Sequence, residues 1–170
     1  MSSPTLKNAQ KLRELNAQIK ETFQLDPHDP THQAATQAFH QAYDSLAFPG
    51  GISQALDRLK NKDPSILDEI LSFLQDNPDY FRSGYHKEKM LQHLKSFSLS
   101  KKQQTLLSSL ILRSIDGGPK RLFQAYSRLA PKITPDLLLP EVLERLHSPN
   151  PEIQHRATHV KEPIKQITKS

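Results

Sequence analysis

An all-α fold is what this sequence predicts, and three observations carry the prediction. Apolar residues return at three- and four-residue spacing along most of the chain. The 13 prolines stand mostly just after residues that cap helices, where a missing N–H removes no hydrogen bond. No stretch alternates apolar with polar residues in the manner of a half-buried strand. A chain of 170 residues is long enough for one continuous core, and with 6% aromatic residues and no Trp that core is aliphatic.

The elements follow in chain order. Ser3-Pro4 pairs an N-cap oxygen with a proline at the first helical position, and Leu12, Leu15, Ile19 and Phe23 form the stripe behind it. Asp29-Pro30 opens a second helix with Ala35, Ala38, Phe39, Ala42, Tyr43 and Leu46 on one face. Ile52, Leu56 and Leu59 make a third. Asp63-Pro64 starts the next, which carries Ile66, Leu67, Ile70, Leu71 and Leu74, and Met90, Leu91 and Leu94 mark another. Ser100 caps a helix holding Leu106, Leu107, Leu110, Ile111 and Ile115, and Asp116-Gly117-Gly118-Pro119 ends it. Leu122, Phe123, Tyr126 and Leu129 follow. Thr134-Pro135 then opens the stripe Leu138, Leu139, Val142, Leu143 and Leu146, and Asn150-Pro151 opens Ile153, Ala157 and Val160. The expectation is one all-α domain of nine to ten helices over residues 1–160, with a frayed tail at 161–170. Stacked antiparallel helix pairs or a compact helical bundle both satisfy this pattern.

Residues 55–73 and 142–160 align without gaps, sharing Leu56/Leu143, Arg58/Arg145, Leu59/Leu146, Pro64/Pro151 and Ile66/Ile153. Their offset of 87 is about twice the ~40–47 residues of a two-helix repeat. The middle copy is degenerate: Leu91, Leu94 and Lys95 match, but no proline follows Ser100. The stretch from Leu146 to Ala157, with Pro149, Pro151, Glu152 and Ile153 in its turn, resembles the inter-helix turn of HEAT repeats. It departs from that family where an Arg is expected after the branched residue, since Gln154 stands there and Leu67 in the earlier copy. The resemblance implies a right-handed stack of helix pairs whose inner surface binds another macromolecule.

Charge singles out one segment. The net charge of +5 is concentrated, because residues 81–132 carry Arg82, Lys87, Lys89, Lys95, Lys101, Lys102, Arg113, Lys120, Arg121, Arg128 and Lys132 against only Glu88 and Asp116. Residues 63–80 hold five carboxylates and no cation. Such an excess raises the local potential and attracts an acidic protein or a phosphate backbone, unless the two blocks merely solvate helices and attract each other. The expected contact residues are Arg82, Tyr85, Lys87, Lys89, Lys120, Arg121 and Arg128. The first reading is a non-enzymatic helical-repeat protein that docks an acidic macromolecular partner through 81–132. The second is a nucleic-acid-binding protein, extending to a HEAT-like enzyme acting on DNA, with Tyr80, Phe81 or Tyr85 stacking on bases and Gly84 and Gly117-Gly118 admitting close backbone approach. Neither a KH-type loop, a zinc finger nor a helix-turn-helix spacing is present to specify the second.

Other chemistry finds little footing. His28 and His32 with Asp26 and Asp29, and His155 and His159 with Glu152, have ligand-type residues at helical spacing, but neither set has the matching partner segment that a bundle metal site needs. Asp63, Asp68, Glu69, Asp76 and Asp79 fall where caps and solvated faces put carboxylates. No nucleophile turn or phosphate-cradling loop occurs, so the expectation is no catalytic residue, no cofactor and no metal. Without cysteine there is no disulfide framework. No apolar run reaches the ~20 residues of a membrane span, and the N-terminus lacks the pattern of a secretory signal, which places the chain in the cytoplasm as an expectation.

Overall fold

The computed structural model describes the backbone of residues 2–168 and the side chains of residues 2–165. It is all-helical, with α1 (Pro4–Leu25), α2 (Pro30–Ala47), α3 (Ile52–Lys60), α4 (Leu67–Asp76), α5 (Ser83–Leu94), α6 (Lys101–Asp116), α7 (Lys120–Ser127), α8 (Pro135–Arg145) and α9 (Pro151–Thr168). Short 3-10 turns at Pro64–Ile66 and Ala130–Lys132 complete it, and there is no strand among the described residues. None of these helices is long and apolar enough to cross a membrane. Where the sequence predicts one domain over 1–160, the chain divides into two compact units, Met1–His86 and Lys87–Ser170.

Five helix starts, one of them the 3-10 turn at Pro64, are set by adjacent residues. Ser3 Oγ accepts from the Leu6 N–H at 3.3 Å, Asp29 Oδ1 from Thr31 at 2.7 Å, Asp63 Oδ1 from Ser65 at 3.0 Å and Asn150 Oδ1 from Glu152 at 2.9 Å. Ser100 and Gln103 exchange both bonds of a capping box. Thr134 departs from the prediction. Its hydroxyl and its N–H both donate to Gln104 Oε1 of α6, each at 2.9 Å, so a distant amide takes the group that was expected to cap α8. At α3 the N-cap is Gly51, which has no side chain, and Asp44 of α2 serves instead by accepting from the Ser53 N–H at 2.9 Å and hydroxyl at 2.5 Å. A Cβ on Gly51, already at φ +99°, would lie 2.5 Å from Asp44 Oδ2, so glycine there makes room for the carboxylate.

In the first unit, α3 and α4 supply most of the core, with Ile52, Ala55, Leu59, Ile66, Leu67, Ile70, Leu71, Phe73 and Leu74 buried beside Phe48. The start of α1 joins it through Ala9 and Leu12, and is held by Ser3 Oγ donating to Asp76 Oδ2 at 2.8 Å and Arg13 donating to the Asp79 carbonyl at 2.5 Å. Helices α1 and α2 then run as a hairpin against each other. No residue from 13 to 38 is buried. The predicted stripes were expected to be buried throughout, yet Leu12 and Phe39 are buried while Leu15 and Ile19 are half-buried and Phe23 is 57% exposed. A two-helix hairpin encloses little core of its own, so helical period marks a face without guaranteeing a cover for it. Replacing Phe23 by Ser is therefore expected to shift unfolding by no more than about 0.5 kcal/mol in urea titrations, since the side chain is mostly in solvent with its ring 5.5 Å from that of His32.

In the second unit α6 is the hub, packing against α7, α8 and α9. Its Leu107, Leu110, Ile111 and Ile115 are buried, along with Met90, Leu91 and Leu94 of α5, Leu129 and Ile133, Leu138 and Val142 of α8, and Ala157, Val160 and Ile164 of α9. The tail predicted from 161 is a correction. Helix α9 continues through Pro163 to Thr168 because Ile164 is 1% exposed and anchors it; residues 169–170 of that tail lie outside the described residues. Pro140 likewise sits inside α8, and each such proline forgoes one intrahelical bond. Residues 55–73 and 142–160 both fold as helix, turn and helix, but their shared arginine works differently. Arg58 bonds Asp63 and Ser65 within its own turn at 2.7 and 2.8 Å, whereas Arg145 reaches back to Asp116 at 2.7 and 2.8 Å.

Candidate functional site

Helix α7 is eight residues long and sorts its side chains cleanly. Phe123, Ala125, Tyr126 and Ser127 are buried, which leaves Lys120, Arg121 and Gln124 on the open side together with Arg128 just beyond the helix end. Lys120, Gln124 and Arg128 follow at i, i+4 and i+8 and so form one row. With Glu88 and Ala125 they line an open groove of about 570 Å³. Glu88, on α5, turns its Oε2 toward Arg121 Nε; the carboxylate is largely covered while the Arg121 side chain stays 71% exposed. One carboxylate thus faces three cations, and the groove keeps a net positive charge at neutral pH.

Lys120 also borders a second hollow, a cleft of about 410 Å³ lined by Phe123, Gln124, Glu152, His155, Arg156 and His159. Arg156 is its fixed element. Only 6% exposed, it donates from one terminal nitrogen to the Ser114 carbonyl at 2.8 Å and from the other to the Gly118 carbonyl at 3.1 Å and Glu152 Oε1 at 2.5 Å. Its guanidinium lies 5.1 Å from the Phe123 ring centroid, a ring that His159 meets from another side at 5.8 Å. Ser114 lies in the last turn of α6, where carbonyls lack helical partners, so Arg156 closes the end of that helix. The sequence reading passed over Arg156, although it shares the stripe of Ile153, Ala157 and Val160 and stands four residues from Glu152.

The sequence-predicted contact residues fall into different settings. Lys120, Arg121 and Arg128 are exposed on the α7 groove, and Lys89 is half-buried. Lys87 is a correction, since it is 5% exposed and lies on the same stripe as Met90, Leu91 and Leu94, which faces the core. Arg82 and Tyr85 belong to the first unit, where Arg82 at φ +69° sets its guanidinium 5.2 Å from the Tyr85 ring centroid. Phe81 and Tyr85 are 53% and 41% exposed. Tyr80 is not available for stacking, because it is buried with its hydroxyl donating to the Ala47 carbonyl at 3.0 Å. The Gly118 carbonyl, at the predicted point of close backbone approach, is taken by Arg156.

His86 packs against Tyr80, with Nδ1 3.2 Å from its hydroxyl. Burial, and secondarily the Arg82 charge, push its pKa down to about 4 against an opposing pull from Asp44. A histidine depressed in the folded state contributes stability that is present above its unfolded pKa of about 6.5 and is lost as pH falls toward 4, because the unfolded chain then binds the extra proton. The expected result is a fall in the unfolding midpoint between pH 6.5 and 4 that is smaller in the His86→Gln variant; equal slopes would mean that His86 titrates alike in both states.

The histidine sets considered for metals resolve into local chemistry. Asp26 accepts from the His28 N–H at 2.9 Å, Asp29 caps α2, and His32 Nδ1 lies 2.9 Å from Thr22 Oγ1. Among the described residues no group of three or more His, Asp or Glu side chains is placed to hold a metal ion. The described residues form an all-helical protein whose second unit has a groove lined by Glu88, Lys120, Arg121 and Arg128 beside a cleft lined by Arg156. Comparisons with protein-family models, with curated proteins and with solved structures find no match.

Proposed function

We propose that this is a non-enzymatic interaction protein that docks an acidic segment of another protein on the α7 groove. The observation that supports it most is the convergence of Lys120, Arg121 and Arg128 on one open surface around a single carboxylate. Long-range attraction from such a surface speeds encounter and orients an acidic chain, at a strength that falls with salt. Nucleic acid is the weaker candidate for this groove. Binding a strand through its bases calls for exposed aromatic rings, and among the described residues of the second unit the large apolar side chain left exposed is Leu143. HEAT-like stacking, with a concave inner face, is part of this reading and is supported by the Leu146–Ala157 turn and by the echo between residues 55–73 and 142–160.

The double variant Arg121→Gln, Arg128→Glu tests it. Glutamine at 121 avoids setting a second carboxylate against Glu88. The variant is expected to keep its helical circular dichroism and to elute from immobilised polyglutamate at clearly lower salt than the parent, since exposed charges govern association far more than stability. Elution at the parent's salt concentration would reduce the groove to a solvated face, and stronger parental retention on duplex DNA than on polyglutamate would favour nucleic acid.

A further inference from the structure

We infer that the cleft between α7 and α9 is a subsite for a phosphate monoester, the phosphorylated side chain of the acidic segment that the α7 groove receives. The inference rests on that reading of α7 and adds the chemistry of one position in the partner. Three of the five N–H groups of Arg156 are committed to Ser114, Gly118 and Glu152, which locks the guanidinium in place before any ligand arrives. The other two take no part in those bonds, and Arg156 lines the hollow in which an oxygen ligand would sit. Around that fixed donor stand Lys120, His155 and His159, all exposed, so the walls of the cleft offer donors from both helices.

The resident counter-charge is Glu152, whose side chain is 67% exposed while that of Arg156 is 8% exposed. An incoming anion would displace this exposed carboxylate and leave the two carbonyl bonds of Arg156 intact. A phosphate monoester carries about −1.5 to −2 charge at pH 7 and several acceptor oxygens, so it outcompetes Glu152 where a single carboxylate would only exchange with it. A phosphodiester has one charge, like Glu152, and gains no such advantage. Lys120 borders both hollows, which puts the monoester beside the acidic residues lying in the groove.

The test uses the full chain and a fluorescent peptide, Glu-Glu-phosphoserine-Glu-Glu, compared by anisotropy with its Ser and Glu counterparts. The phosphopeptide is expected to bind about tenfold more tightly than either counterpart. That advantage should fall to within about twofold in the double variant Lys120→Ala, His155→Gln, whose two positions are exposed and outside the core, and survive in Arg121→Gln, Arg128→Glu, which weakens all three peptides together. Phenyl phosphate should displace the phosphopeptide where dimethyl phosphate does not. The cleft assignment is overturned if phosphoserine and Glu peptides bind alike, if the advantage persists in the Lys120 and His155 variant, or if the diester competes as well as the monoester. The first of these outcomes leaves the α7 groove standing, so the two readings fail separately.

Discussion

Replacing Ile111 by alanine is expected to lower the stability of the second unit by about 2–5 kcal/mol, the range for emptying a fully buried aliphatic site. Ile111 is 0% exposed on α6, the helix against which α7, α8 and α9 pack, so the cavity would open at the centre of the unit with no loose edge to collapse into it. Leu110→Ala, at 2% exposed, should fall in the same range. Chemical unfolding followed by circular dichroism measures both. A loss of a few tenths of a kcal/mol would place α6 at the periphery and contradict its position here.

The second large effect belongs to Arg156→Met, for which a loss of about 1–3 kcal/mol is expected. Methionine keeps much of the apolar stem but removes the donors to the Ser114 and Gly118 carbonyls, and the Ser114 carbonyl, whose bond is buried, then bears its desolvation penalty unrelieved. Glu152→Gln is the control. The carboxylate is mostly in solvent, so its loss should change stability by no more than about 1 kcal/mol. Equal effects from the two substitutions would mean that Arg156 stabilises the unit through the ion pair and not through the carbonyls at the end of α6.

Both residues lie on stripes that helical spacing reveals, yet only one of them was legible as core. Period and apolar character together point to Ile111, whereas charge alone sent Lys87 to the surface although it occupies the stripe of Met90, Leu91 and Leu94. The same spacing places Arg156 between Ile153 and Val160. A long side chain can bury its stem and end its charge on carbonyls, so geometry outranks composition at such positions.

By itself the sequence determined the helical class, the order of the helices and several of their starts. Those depend on interactions within a few residues, as at Asp29 with Thr31, Asn150 with Glu152 and the Ser100–Gln103 box. What only the tertiary structure decided are the features made by residues far apart in the chain. Gln104 takes Thr134 away from capping, Asp44 caps α3 over Gly51, and Ser114 with Gly118 turns Arg156 inward to build the cleft. The α1–α2 hairpin belongs with them, because a helix's own period states which face is apolar while burial depends on whether another element arrives to cover it.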